Sequence, residues 1–375
     1  MVDTTKPYLV RPLLVEQPTW GGDYILRYKQ FQSAFPAREK KIGQSYELYG
    51  KTVLSPLPDS ADPSFLPVDN GDLHPGTGDV PLAALVSLSP GDALGPVNKD
   101  RGVPLIKFTQ ALGNSYQLHV PPPGNARWKP KPESWFYFEP GYVTLGVKNR
   151  DLVPAYKRAC LNIESAVRSL GAAVQQKTLA VADARAQINK LISSDNPRDY
   201  VNVYEVPRDT LIDLSGGGIH HSWEEDRDRY PLGNVLYEIQ EDVADSDSTL
   251  RSFDKGKMFD DGTARPVHIK DYFANLDTDP SRNSLSALTK KPEGTRMLST
   301  DRYSLDLLVL QDTGTLKNKD SYSHLFVKEG VLLVQSKGGV ITVGQGHSCF
   351  IPFAAGTVQL IPKTKRATVL RAYAE

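Results

Sequence analysis

Short apolar runs broken by glycine and proline dominate the chain. From Tyr322 onward, HLFVKEG, VLLVQS, VITVG, SCFIP, TVQLIP and ATVLRAYA follow one another at near-regular intervals, with Gly338-Gly339 at a tight turn. Short, evenly spaced strands predict a small sandwich or jelly roll. The N-terminal runs YILRYKQF and SYELYG also read as strands. Residues 103–120 predict two strands about a Gly113-Asn114 turn, and residues 134–148 two more joined through Pro140-Gly141, both in hairpin style. Further strands are expected at Val201–Val206, Thr210–Leu214 and Leu236–Gln240. Residues 55–100 read as a long surface loop with a short helix at Pro81–Val86, and residues 241–300 as polar and turn-rich.

One segment breaks this texture. From Val153 to Ser193 glycine and proline nearly vanish, and Ile163, Val167, Leu170 and Val174 recur at a 3–4 spacing, as do Val181, Ala184, Ile188 and Leu191. This predicts an amphipathic helix, or a helical hairpin broken near Gly171, closed by Asn196-Pro197.

Composition narrows the function. Lys+Arg and Asp+Glu both number 44, so the basic excess of a nucleic-acid surface is missing. Two cysteines, Cys160 and Cys349, make neither a disulfide framework nor a CxxC metal pair. The first residues, MVDTTKPYLVRP, hold no apolar signal core, and no run is long enough to span a bilayer. A cytoplasmic protein without membrane partners is expected, with oligomeric state left open.

The candidate chemistry lies with a few of the seven histidines. His74, His268, His324 and His347 are read as surface or structural residues. In Tyr116-Gln117-Leu118-His119, strand alternation puts Gln117 and His119 on one face. Glu133 precedes an aromatic strand, and His220 follows three glycines. An amide oxygen, a carboxylate and two imidazoles suit Zn²⁺, and other divalent first-row ions fit the same donors.

These residues belong to a wider pattern. IGQSYEL, LAALVSLSPGDALG with VPLIKF, SYQLHV, KPESW, GGIHHS, VLYEIQEDVADSDSTLRSFD and VKEGVLLVQ…GHSCFIP together resemble the type I mannose-6-phosphate isomerases of the cupin superfamily, over most of the chain. The resemblance implies a mainly β protein of two cupin or jelly-roll barrels. A catalytic barrel would occupy 1–300, with the helical segment at about 153–198 inserted, and a C-terminal one 301–375. It implies one zinc per chain held by Gln117, His119, Glu133 and His220. It implies Arg251 as the active-site arginine, Lys131 in proton transfer, and Ser115, Lys107 and Lys257 toward the substrate phosphate. The expected activity is the interconversion of mannose 6-phosphate and fructose 6-phosphate through an enediol. The alternatives are a sugar-phosphate isomerase of other specificity, or a sugar-binding cupin without turnover. Departures from the family pattern fall at Gln44, at FDKGK, in the charged stretch WEEDRDRYPLGN, and at His221, which leaves two adjacent imidazoles as ligand candidates.

Overall fold

A computed structural model describes residues 3–18, 20–32, 41–68, 78–113, 115–222 and 228–374, with only the backbone at 221–222. His74, Asn114 and residues 223–227 of the charged stretch after His221 lie outside the described residues. The chain is mainly β, in several antiparallel sheets. Each sheet ends in edge strands among the described residues, so none closes into a barrel. The chain packs as two compact units, one of Met1–Gln110, Leu236–Asp242 and Lys290–Glu375, the other of Ala111–Val235 and Val243–Thr289.

The first unit holds an eight-stranded and a four-stranded sheet. In the four-stranded sheet the predicted alternation is realised: Leu332, Val334, Ile341, Val343, Val358 and Leu360 are buried while their neighbours face outward. His324 and His347 are buried here, and burial pushes both imidazoles down to about 3, so they are neutral. The run YILRY is not a strand but the helix Tyr24–Tyr28. Ile25 and Leu26 are both buried, and the Lys29 N–H donates to the Ile25 carbonyl at 3.0 Å, the bond four residues back that closes a helical turn. The Tyr24 and Tyr28 rings stack at 5.6 Å, the neighbour relation of residues four apart on a helix.

The second unit is built on a five-stranded antiparallel sheet. Its order is Val201–Val206, Gly141–Val147, Gly218–Ser222, Tyr116–His119, Leu250–Phe253. The expected hairpins do not form. Tyr116–His119 pairs with Gly218–Ser222 and Leu250–Phe253, whereas Glu133–Tyr137 pairs with Leu211–Asp213, apart from Gly141–Val147. Glu133–Tyr137 and Gly141–Val147 are buried along their whole length. Each is covered on both faces, so consecutive strands take up places in different layers.

The helical segment is a hairpin of Val153–Gln175 and Val181–Ser194, broken at 176–180 rather than at Gly171. Its buried stripe, Tyr156, Cys160, Ile163, Val167, Ala184 and Ile188, joins Tyr116, Leu118, Ile219 and Leu250 of the sheet in one core. The Tyr156 hydroxyl lies 2.9 Å from Ser252 Oγ and 3.2 Å from the Tyr272 hydroxyl. One face of the sheet is thereby sealed by apolar packing.

Gly171 stays inside its helix because the Gly262 backbone crosses there. A Cβ on Gly262 would stand 2.6 Å from the Gly171 carbonyl oxygen, and one on Gly171 would strike the Gly262 carbonyl oxygen. In a helix interior alanine is better than glycine by about 1 kcal/mol. Overpacking of about 1–3 kcal/mol outweighs that gain here. Gly171→Ala is therefore expected to lower the thermal unfolding midpoint by several degrees, and an unchanged or raised midpoint would refute the close crossing.

Candidate metal centre

The opposite face of the five-stranded sheet carries the polar residues. Tyr116 and Leu118 point into the helical core, so Gln117 and His119 take the other side. The ladder sets His220 directly beside Gln117, and Arg251 beside Gln117 on its other flank. Arg251, Gln117 and His220 thus form one row across three strands. The glycine run before His220 has a steric reason. Gly218 pairs with His119, and a Cβ on Gly217 would lie 2.6 Å from the His119 carbonyl oxygen, with φ at +80°. Glu133 opens the strand Glu133–Tyr137 and is anchored by its carbonyl, which accepts from the Leu214 N–H at 3.0 Å.

Among the described residues, one group of His, Cys, Asp and Glu side chains converges closely enough to hold a metal ion. It is His119, Glu133 and His220, all buried, with ligand atoms within 4.8 Å of one another. His119 Nε2 lies 3.3 Å from Glu133 Oε2, and His220 Nε2 lies 3.1 Å from Glu133 Oε1. The other ring nitrogens are committed. His119 Nδ1 sits 2.7 Å from the Ser248 carbonyl oxygen and His220 Nδ1 sits 3.1 Å from the Gly218 carbonyl oxygen. A carbonyl only accepts, so each Nδ1 carries the proton.

In the neutral ring each Nε2 then presents a lone pair to the carboxylate. Burial pushes His119 down to about 4, so it is neutral at physiological pH. Burial alone would raise the Glu133 carboxyl, but positive charge beside it, from a protonated His220 ring and from Lys131, holds it well below its usual value. Two imidazole lone pairs and an ionised carboxylate facing one another repel unless a cation lies between them. Backbone carbonyls behind both imidazoles are the usual means of aiming such ligands. The donor set therefore fits a divalent metal. His220 Nε2 reaches Glu133, and the His221 side chain lies outside the described residues. Gln117, half-buried beside it, completes the sequence-derived set on the same face.

Two cations border the group. Lys131 is buried, with Nζ 3.7 Å from Glu133 Oε2 and 3.2 Å from Asp245 Oδ1. Arg251 is buried too, and its Nη2 lies 3.1 Å from Asp245 Oδ2. Asp245 bridges them and also accepts from Thr249 Oγ1 at 3.1 Å. Sequence reasoning passed over Asp245, one of several acidic residues in EDVADSD. Only the short helix Asp245–Ser248 turns it toward Lys131. His268, read as structural, accepts from the Arg251 backbone N–H at its Nδ1, 3.3 Å away.

The residues expected near a phosphate are divided. Ser115 is buried at the start of its strand, and Lys257 Nζ donates at 3.3 Å to the carbonyl of Gly113, two residues away. Lys107 belongs to the other unit, where its ammonium lies 2.9 Å from Glu238 Oε1.

No family model and no curated protein sequence matches the chain. Solved structures do. A putative mannosephosphate isomerase from Archaeoglobus fulgidus superposes with a TM-score of 0.64 at 14% identity, covering 98% of each chain. The mannose 6-phosphate isomerase of Bacillus subtilis gives 0.63 at 11% identity, covering 98% of this chain and 99% of that one. That of Salmonella typhimurium, bound to substrate and zinc, gives 0.62 at 13% identity over 98% of this chain and 100% of its own. The chain has the mannose-6-phosphate isomerase fold. At these identities the likeness speaks for the fold, and the chemistry rests on the side chains just described.

If His119, Glu133 and His220 hold a metal, His119→Ala and His220→Ala each release it, while His221→Ala keeps it. Metal analysis of the purified proteins checks this, and undiminished metal in both of the first two variants would exclude the centre.

Proposed function

We propose that the protein is a zinc-dependent mannose-6-phosphate isomerase that interconverts mannose 6-phosphate and fructose 6-phosphate in the cytoplasm. The observation that carries this reading is the buried His119–Glu133–His220 group, present on the fold of that family. In this reading Gln117, His119, Glu133 and His220 hold one zinc. The fold is then of two cupin-type units, with residues about 153–198 inserted in a catalytic part of 1–300 and residues 301–375 forming a C-terminal part.

Isomerisation moves a proton between adjacent carbons while the carbonyl shifts, and the barrier lies at the enediolate. Zinc, when bound, supplies positive charge that stabilises the developing oxyanion. Lys131 in its neutral form takes the proton from one carbon, becomes an ammonium, and returns the proton to the neighbouring carbon, its Nζ placed 3.2 Å from Asp245. Arg251 stays a guanidinium and stabilises or orients the sugar oxygens. Ser115 and Lys257 serve the phosphate. Asp245 fixes the separation of the lysine and the arginine, and its carboxylate keeps the pocket from holding two uncompensated cations.

In an assay that couples fructose 6-phosphate to a reporter reaction, purified protein is expected to turn over mannose 6-phosphate. A chelator abolishes that turnover and zinc restores it. Absence of chelator-sensitive turnover would refute the reading. Lys131→Met and Arg251→Met are expected to keep zinc and lose about 100-fold or more in kcat, the scale of a missing acid–base or charge-stabilising group. A loss confined to KM would remove them from the chemical step.

A further inference from the structure

The strand that presents Glu133 to the centre presents a second side chain to it. Glu133 and Trp135 are two residues apart and share one face of the strand. The indole of Trp135 stands edge-on to the His220 ring, with centroids 5.2 Å apart and planes at 85°. Trp135 is buried, 4% exposed. Its Nε1 has no hydrogen-bond acceptor among the described residues, and the same holds for Nε of Arg251 in the neighbouring row. An indole nitrogen is a donor only, and a buried tryptophan N–H normally finds a partner. A buried donor left without one is destabilising, so its persistence beside a binding centre points to a ligand atom.

We infer that Trp135 is a substrate-binding residue whose indole N–H donates to a hydroxyl or carbonyl oxygen of the bound sugar, next to the metal ligands. The inference rests on the isomerase reading and adds a donor to it. A neutral donor-only group suits an uncharged sugar oxygen, whereas the phosphate is better met by cations such as Lys257. The ring has a second duty, packing against His220, so the test must separate the N–H from the ring. Trp135→Phe does so, because it keeps an aromatic ring at that place.

The zinc-loaded Trp135→Phe protein is expected to hold as much zinc as the parent. It is expected to bind fructose 6-phosphate about threefold to tenfold more weakly by calorimetry, the range of one neutral hydrogen bond, with KM rising in step. Inhibition by inorganic phosphate should be unchanged. Unaltered fructose 6-phosphate affinity would overturn the inference. Loss of zinc would assign Trp135 to His220 alone, and weaker phosphate inhibition would assign the donor to the phosphate; either result also overturns it. A readout free of active-site substitution uses protein labelled with ¹⁵N at the indole. The Trp135 resonance, identified by elimination with Trp20→Phe, Trp128→Phe and Trp223→Phe, should move on adding fructose 6-phosphate and stay put with phosphate. A parent protein that neither binds nor isomerises the sugar phosphates removes the isomerase reading and this inference with it. A normal parent with a normal Trp135→Phe variant removes the inference alone.

Discussion

A buried carboxylate between two imidazole lone pairs is the constraint on which the second unit depends. Glu133 has Oε1 and Oε2 turned to different histidines, 3.1 and 3.3 Å away. Neither histidine can soften the encounter by turning its other nitrogen inward, because Ser248 and Gly218 carbonyls hold both Nδ1 protons. Lys131, 3.7 Å away, compensates part of that charge, and a divalent cation between the donors would compensate the rest. Such a cation would couple its binding to folding, because the donors meet only when separate strands have paired.

The apolar side of the sheet makes that polar side possible. Strand alternation means that each of these polar residues on one face has a hydrophobic neighbour on the other: His119 with Leu118, His220 with Ile219, Arg251 with Leu250. The helical hairpin Val153–Ser194 buries those neighbours and locks the register, because a slip by one residue would exchange the faces and drive His119 into the Tyr156 core. The two helices therefore act on the centre through the sheet. They fix which way Gln117, His119, His220 and Arg251 point.

What was legible in the sequence follows from the range of each interaction. Alternation is local, so Tyr116-Gln117-Leu118-His119 could be read directly, as could the six C-terminal strands and the two helical stripes. Pairing is not local. Residues 134–148 look like a hairpin, yet Glu133–Tyr137 finds its partner at Leu211–Asp213, far along the chain. YILRY reads as a strand, but five residues cannot distinguish a period of 2 from one of 3.6, and the segment closes helical hydrogen bonds instead. Asp245 was hidden among acidic neighbours because only a short helix picks it out. The ion pair of Lys107 with Glu238, distant in the chain, is likewise a pairing that no local pattern announces.

The same distinction explains how a fold can be shared at 11–14% identity. A sheet with one sealed face asks only that alternate positions be apolar and roughly the right size, and many residues satisfy that. A cation site asks for particular donor atoms at particular rungs, and few substitutions satisfy it. The resemblance read in the sequence rests accordingly on short words such as SYQLHV, KPESW and GGIH. Trp135 lies inside one of those words, two residues beyond Glu133. A position there that served only to fill volume would tolerate any large apolar side chain. An indole whose N–H is buried and unmet is instead costly to keep, and that cost is intelligible when an oxygen of the ligand arrives to meet it.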